Sequence, residues 1–237
     1  MHAETPKPRR ADPSRPSPYA DYDEIKRFYR DKAVAVSYDG RRFGGLSRRR
    51  RDARKWRAVR RALDLAGDVR TTLDVPCGTG RFTGRLARLG YEVVAADVSE
   101  EMMDVARRTL GAGAAPTVFV QADAEALPFR DGALDCVISI RFLFHADRAT
   151  RVRILREMGR VSRRWLIVDY RHRYSLRYVA WRAQRLLGLT DAPLDRVTRA
   201  EMHAELRQAG LAVRKVIPVT RVFSDKWIVV GEAGHAS

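Results

Sequence analysis

Short apolar runs and longer amphipathic stretches follow one another regularly along most of the chain. From about residue 71 onward, each apolar run is followed by a stretch in which apolar side chains recur at helical spacing. Apolar strands separated by helices predict an α/β fold with a mostly parallel sheet and helices on both faces. The predicted strands are TLDVP, YEVVAADV, TVFVQAD, ALDCVISI, RWLIVDY, LAVRKVIPV and DKWIVVGE.

The last two predicted strands are joined only by the short segment TRVFS. This connection is too short for a parallel crossover, so the two strands should form a hairpin. We therefore predict a seven-stranded sheet that is parallel except for a C-terminal antiparallel hairpin.

The segments before the sheet differ in character. Residues 1–20 contain five prolines and no apolar core, which predicts a disordered tail rather than a secretory signal. Residues 21–67 predict an N-terminal helical cap, and residues 68–237 the main domain with a lid insertion at 171–197. The second helix of the cap has a predicted apolar stripe and ends at Gly67. The stripe consists of Trp56, Val59, Leu63 and Leu65.

Composition narrows the class of protein. Apolar residues make up 45% of the chain, and no apolar run approaches the roughly 18 residues that span a bilayer. The two cysteines, Cys77 and Cys136, lack metal-ligand spacing, so we expect buried thiols, no metal and a cytoplasmic location.

Positive charge is concentrated in one segment. The net charge is +17, and Arg41–Arg61 holds eleven basic residues and one acid. Such a cluster attracts phosphates of nucleic acid, lipid or a small anion. Because 40 of the 46 basic residues are arginine, a GC-rich genome is an equally simple explanation.

A glycine-rich turn follows the first predicted strand, in LDVPCGTGRFTG. A P-loop requires a Gly-Lys-Ser/Thr that this chain lacks. A dinucleotide fingerprint requires a third glycine where Thr83 stands, one residue before Gly84. The pattern that remains is Asp-x-x-x-Gly-x-Gly, formed by Asp74, Gly78 and Gly80.

Acidic residues also end the next two strands. Asp97 ends the second strand, where it can accept hydrogen bonds from both hydroxyls of a ribose, and Asp123 ends the third, where it can accept from an adenine amine. Together with Asp74, these acids would repel a phosphate. The pattern therefore favours a ligand with adenosine and no phosphate.

With these motifs in order, the chain resembles the class I S-adenosylmethionine-dependent methyltransferases, most closely their small-molecule branch. The resemblance runs from about Leu73 to Tyr170, through LDVPCGTG, VVAADVSEEMM, ADAEALPFRDGALDCVIS and RFLFH, and less specifically to Glu232. It implies a Rossmann-like fold and S-adenosyl-L-methionine as the cofactor. Pro76 departs from the family, which commonly has glycine there. The implied cofactor contacts are Asp74, Gly78 and Gly80 at the methionine part, Asp97 at the ribose, Val98 and Met102 on the adenine, Asp123 and Ala124 at its edge, and Arg141 at the amino acid end.

The acceptor should meet the methyl group at the carboxyl edge of the sheet. His145 is the candidate general base, and its alternative role is to bond the start of the next helix. Asp169 ends the fifth strand and is expected to pair with Arg171 or Arg173. The candidate substrate contacts are Tyr29, Tyr38, Phe43, Tyr170 and Tyr178.

The insertion after the fifth strand carries five arginines and no acid between Arg171 and Arg185. It is interpreted as a lid, with peripheral membrane contact through residues 171–187 as the alternative. The leading hypothesis is methyl transfer to a small or lipid-like metabolite. An RNA methyltransferase using the Arg41–Arg61 surface and a non-catalytic cofactor-binding scaffold stay open.

Overall fold

The computed structural model describes residues 21–31, 33–35, 38, 46–110, 115–190, 194–220 and 225–234. The helices are α1 (Tyr22–Tyr29), α2 (Leu46–Ala66), α3 (Thr83–Arg88), α4 (Glu100–Leu110), α5 (Arg148–Val161), α6 (Leu176–Leu186) and α7 (Arg199–Gln208), with a 3₁₀ turn at Leu143–His145. The strands are β1 (Thr71–Asp74), β2 (Glu92–Asp97), β3 (Thr117–Gln121), β4 (Leu134–Ser139), β5 (Ser162–Arg171), β6 (Leu211–Pro218) and β7 (Lys226–Ala233).

The seven strands form one sheet in the order β3-β2-β1-β4-β5-β7-β6. The first five strands pair in parallel, whereas β7 runs antiparallel to both β5 and β6. The predicted sheet and its C-terminal hairpin are therefore confirmed. Because the parallel strands end at one edge, residues that follow β1, β2, β3, β4 and β5 are brought close together.

Apolar side chains cover both faces of the sheet. One cluster joins α5 and α7 to the sheet and includes Leu155, Met158 and Met202. The other joins α2 and α3 to the opposite face and includes Val59 and Leu86. Strands covered on both sides explain the nearly continuous apolar runs in the sequence.

Helix α2 packs on the sheet as a core helix. Val59 and Leu63 are buried as predicted, but Leu65 is 54% exposed, so its place in the stripe is wrong. Two residues correspond to about 200° of helical rotation, so Leu65 cannot share a face with Leu63. Ala62 and Ala66 fill the inner face instead. The domain division at residue 67 stays a prediction, and the tail at 1–20 lies outside the described residues.

Helix starts follow the capping signals of the sequence. Thr198 and Glu201 form a capping box at α7, as their spacing predicts. The Ser99 hydroxyl accepts a hydrogen bond from the Met102 amide at the start of α4. Asp21 and Glu24 form a further capping box at α1, which fixes the start of the helix nearest the candidate site.

Gly80 provides a test of how closely α4 packs against the turn after β1. Its φ is +76°, and a Cβ there would lie 2.8 Å from the Ala106 Cβ on α4. Gly67 has a similar φ of +70° with no atom within 4 Å of the same position. Gly80→Ala should therefore lower the free energy of unfolding by about 1–3 kcal/mol more than Gly67→Ala. Urea unfolding measures both, and equal losses would contradict this packing.

Candidate active site

An open cleft lies at the edge where the parallel strands end. The space within it, part of which is open to solvent, is about 940 Å³. The strand ends and the turns after β1 and β4 form its floor, and α1 lies across it. The lining residues are Tyr22, Ile25, Lys26, Tyr29, Tyr38, Val75, Pro76, Cys77, Gly78, Thr79, Arg81, Phe82, Asp97, Val98, Met102, Ala122, Asp123, Ala124, Ile140, Arg141, Phe142 and His145.

The glycine turn is held by the carboxylate of Asp97. The Gly78 amide donates to Asp97 Oδ2 at 2.8 Å, and the Ser99 amide donates to Oδ1 at 2.9 Å. The Cys77 amide donates to the Ala96 carbonyl at 2.8 Å. The turn after β1 is therefore fastened to the end of β2. Each Asp97 oxygen retains lone-pair capacity toward the cleft.

The two glycines of the motif have different surroundings. Gly78 has a φ of +53° and open space around the position of a Cβ, so a ligand can approach its backbone closely. Gly80 packs against α4 and does not line the cleft. Asp74 does not line it either: its buried carboxylate accepts a hydrogen bond from Thr83 Oγ1 at 2.6 Å. Asp74 and Gly80 thus support the turn from behind.

The end of β3 meets helix α1. Lys26 Nζ lies 2.9 Å from Asp123 Oδ2, while the Glu125 amide donates to Asp123 Oδ1 at 3.0 Å. The Tyr22 ring lies 6.0 Å from the Phe142 ring, centroid to centroid. Helix α1 therefore bridges the segment after β3 and the segment after β4. Sequence reasoning placed only Tyr29 of this helix at the site.

A sequence signal for the other α1 contacts does exist. Tyr22, Ile25, Lys26 and Tyr29 recur at spacings of three and four residues, which puts them on one helix face, and all four line the cleft. The capping box at Asp21 marks where that helix begins. A helix with a cap and one aromatic face, preceding a cofactor motif, is therefore a recognisable candidate for a cover over the cofactor.

Asp169 organises the opposite end of the cleft. Its Oδ1 accepts a hydrogen bond from the Arg141 amide, and its Oδ2 pairs with Lys55 Nζ, both at 2.5 Å. Arg141 has a φ of +70°, in the left-handed region that non-glycine residues rarely adopt. The predicted pairing of Asp169 with Arg171 or Arg173 is wrong because Lys55 reaches it from α2. The Arg173 side chain instead contacts the Arg196 carbonyl and Glu201.

Burial shifts the protonation of the strand-end acids. It raises the pKa of Asp74 to about 7 and that of Asp97 to about 6, the latter despite hydrogen bonds from backbone amides. Burial would also raise the pKa of Asp169, but the Lys55 ammonium reverses this and holds it below its ordinary value. The three acids therefore differ in charge near neutrality: Asp169 is ionised, and Asp74 titrates there.

Most of the residues predicted to contact cofactor or substrate lie together at the cleft. Gly78, Asp97, Val98, Met102, Asp123, Ala124, Arg141, His145, Tyr29 and Tyr38 line the cleft together. Tyr170 does not line it: its hydroxyl donates to Glu205 at 2.8 Å within the core. Tyr178 lies on α6 with its ring stacked on Trp181. Phe43 lies outside the described residues.

The fold and cleft define an α/β protein of the Rossmann-like class with an open cleft at the carboxyl edge of its sheet. Comparison with known proteins then identifies the family. Residues 72–164 match the family described as "Methyltransferase domain". The chain belongs to the class I S-adenosylmethionine-dependent methyltransferases.

The relatives are methyltransferases. The ubiquinone/menaquinone biosynthesis C-methyltransferase UbiE of Pseudomonas entomophila (strain L48) is 34% identical over 177 residues, covering 65% of this chain and 66% of that protein. UbiE of Ectopseudomonas oleovorans is 34% identical over 175 residues, covering 64% and 98%. The chain thus spans just under two thirds of the Pseudomonas entomophila protein.

A solved structure confirms the fold. Magnesium protoporphyrin IX methyltransferase from Synechocystis PCC 6803 with bound SAH (S-adenosylhomocysteine) superimposes with a TM-score of 0.72 at 16% identity. The match covers 90% of this chain and 100% of that one. At this level of identity the match shows the fold alone.

The Lys55–Asp169 pair generates a stability prediction. Lys55→Met should lower the free energy of unfolding by about 3–5 kcal/mol, because it leaves a buried carboxylate without its cation. Adding Asp169→Asn removes that charge, so the double variant should recover part of the loss. Urea unfolding of both variants and of Asp169→Asn measures the coupling. Additive losses would mean that the two side chains do not stabilise each other.

Proposed function

We propose that this chain transfers a methyl group from S-adenosylmethionine to a small or lipid-like acceptor. The observation that carries the proposal is the pair of carboxylates, Asp97 and Asp123, which follow adjacent strands in one cleft, with the open Gly78 turn bonded to Asp97. Two acids and a close backbone suit a nucleoside without phosphate. Family membership supports the same cofactor.

In the proposed arrangement, Asp97 accepts hydrogen bonds from the ribose hydroxyls, and Val98 and Met102 pack on the adenine. Asp123 and Ala124 read the adenine edge, with Lys26 nearby on Asp123. The hydrogen bond from the Gly78 amide to Asp97 supports this arrangement, since it draws the turn toward the ribose position. The remaining contacts, at the methionine end, are assigned to Gly78 and Arg141.

S-adenosylmethionine supplies a methyl group already activated by the sulfonium charge. The protein's part is then to hold the acceptor in line and to exclude water. Tyr29, Tyr38 and His145 line the cleft, and the Tyr29 and His145 ring centroids lie 5.8 Å apart. This aromatic wall suits an apolar or aromatic acceptor. His145 is the proposed base where the acceptor carries a proton that must leave.

The names of the UbiE relatives also favour a lipid-like acceptor, because those proteins are named for ubiquinone and menaquinone biosynthesis. The RNA alternative would rest on the exposed arginines of α2, and the comparisons do not favour it. No helix in the described part of the chain is long and apolar enough to cross a membrane. We propose a cytoplasmic location, supported by the two free, buried cysteines.

Asp97→Asn tests the cofactor site. The variant loses a charged acceptor for the ribose hydroxyls, so its affinity for SAH should fall by about 1–3 kcal/mol in calorimetric titration. Asp131→Asn is the matched control, because it makes the same charge change at a side chain that is 76% exposed outside the cleft. Equal affinities of the two variants for SAH would show that the ribose does not bind at Asp97. Urea unfolding checks that each remains folded.

The raised pKa of Asp97 predicts a pH dependence of the same binding. Above a pKa of about 6 the carboxylate is ionised and accepts from both hydroxyls; below it the group is protonated and loses acceptor capacity. Affinity for SAH should therefore fall about tenfold between pH 7.5 and pH 5. Asp97→Asn should show a flat profile, whereas an equally steep profile in that variant would assign the titration elsewhere.

Methyl transfer itself is tested with radiolabelled S-adenosylmethionine and an extract of the native cells, separated into organic-soluble, RNA and protein fractions. Label should enter the organic-soluble fraction with the wild type, and Asp97→Asn should reduce this labelling at limiting cofactor. Labelling of RNA would support the alternative substrate. An absence of label in every fraction would favour the non-catalytic scaffold.

A further inference from the structure

Helix α6 presents an aliphatic stripe to solvent. Leu176 is 69% exposed, Val179 61% and Leu186 81%, and Leu187 and Leu189 just beyond the helix are 71% and 64% exposed. The offsets of three, ten and eleven residues from Leu176 place Val179, Leu186 and Leu187 on one helix face. A contiguous exposed apolar patch of this kind marks an interaction surface.

The aromatic side chains of α6 lie away from the aliphatic stripe. Tyr178 and Trp181 are half-buried and stack on each other with ring centroids 5.5 Å apart. At about 100° per residue, Trp181 lies about 160° from both Val179 and Ala183, and Tyr178 lies about 140° from Ala183. The aromatic side chains are thus turned away from the aliphatic stripe, so the stripe is the outer face of the helix.

Charge distinguishes between the partners that would suit such a stripe. Residues 171–190 contain five arginines and no acid. Arg182 and Arg185 are exposed on the same helix as the stripe. An aliphatic face accompanied by arginines, on a helix that also carries Tyr and Trp, is typical of helices that lie in the interface of an anionic membrane.

We propose that α6 is a docking surface for an anionic lipid bilayer, with the stripe Leu176, Val179, Leu186 and Leu187 inserted and Arg182, which lies beside Leu186 on the helical wheel, at the head groups. A second copy of this chain fits less well, because pairing two α6 helices would bring arginines together without acids. RNA also fits less well, because its bases stack on exposed aromatic rings, whereas the exposed large side chains of α6 are aliphatic and the exposed ring of Tyr174 before it packs near Trp227.

Co-sedimentation with vesicles tests the docking surface. The wild type should sediment with vesicles of 30% phosphatidylglycerol in phosphatidylcholine and much less with pure phosphatidylcholine. Val179→Glu/Leu186→Glu should weaken binding to the anionic vesicles at least tenfold. The matched control is Leu65→Glu/Val118→Glu, which makes the same changes at side chains 54% and 58% exposed on α2 and β3 and should bind like the wild type.

A second pair of variants separates α6 from the other basic surface. Arg182→Gln/Arg185→Gln should weaken binding to the anionic vesicles, whereas Arg49→Gln/Arg50→Gln on α2 should have a smaller effect. Wild-type failure to sediment with anionic vesicles, or equal losses in the α6 variants and their controls, would overturn the proposal. Two further results would also overturn it. One is a wild-type dimer that the α6 variants disrupt, and the other is wild-type binding to single-stranded RNA that these variants lose, in either case without binding to vesicles. None of these measurements requires the cofactor. The docking proposal can therefore be rejected without affecting the proposed methyl transfer, and the reverse is also true.

Discussion

The carboxylate of Asp97 is the interaction on which the candidate site depends. It receives the Gly78 amide from the turn after β1 and the Ser99 amide from the start of α4. Both donors belong to elements that border the cleft. A buried carboxylate is costly to ionise, as the raised pKa of this group records, and amides held toward it offset part of that cost. The turn after β1 therefore takes its geometry from the need to place backbone amides, in place of water, around the Asp97 carboxylate.

A second carboxylate acts in the same way at the other end of the cleft. Asp169 takes the Arg141 amide on one oxygen and Lys55 on the other, so that the segment after β4 and helix α2 are fixed to the end of β5. Arg141 is held in a left-handed conformation by this contact. The floor of the cleft is thus set by two buried acids, one for each half. A site fixed in this way needs little rearrangement to receive a ligand.

The sequence predicts what depends on local pattern. The sheet, the hairpin and the strand-end acids follow from apolar periodicity and from the short last connection. It does not predict Lys55–Asp169 or Lys26–Asp123, because these partners are separated by 114 and 97 residues and nothing local specifies the match. Gly80 illustrates a different limit: its motif position suggests a ligand contact, but the close approach of α4 explains the glycine without one.

Helix α6 and the cleft share one edge of the molecule, and this links the two proposals physically. β5 ends at Arg171 and α6 begins at Leu176, at the same edge where the ends of β1 to β4 form the floor of the cleft. A bilayer in contact with the α6 stripe would therefore lie on the side of the sheet from which an acceptor enters. In the proposed arrangement, a lipid-like acceptor would enter the cleft at that edge, where Tyr29 and His145 line the wall. A water-soluble acceptor would gain nothing from that placement, so membrane docking and an apolar acceptor support each other.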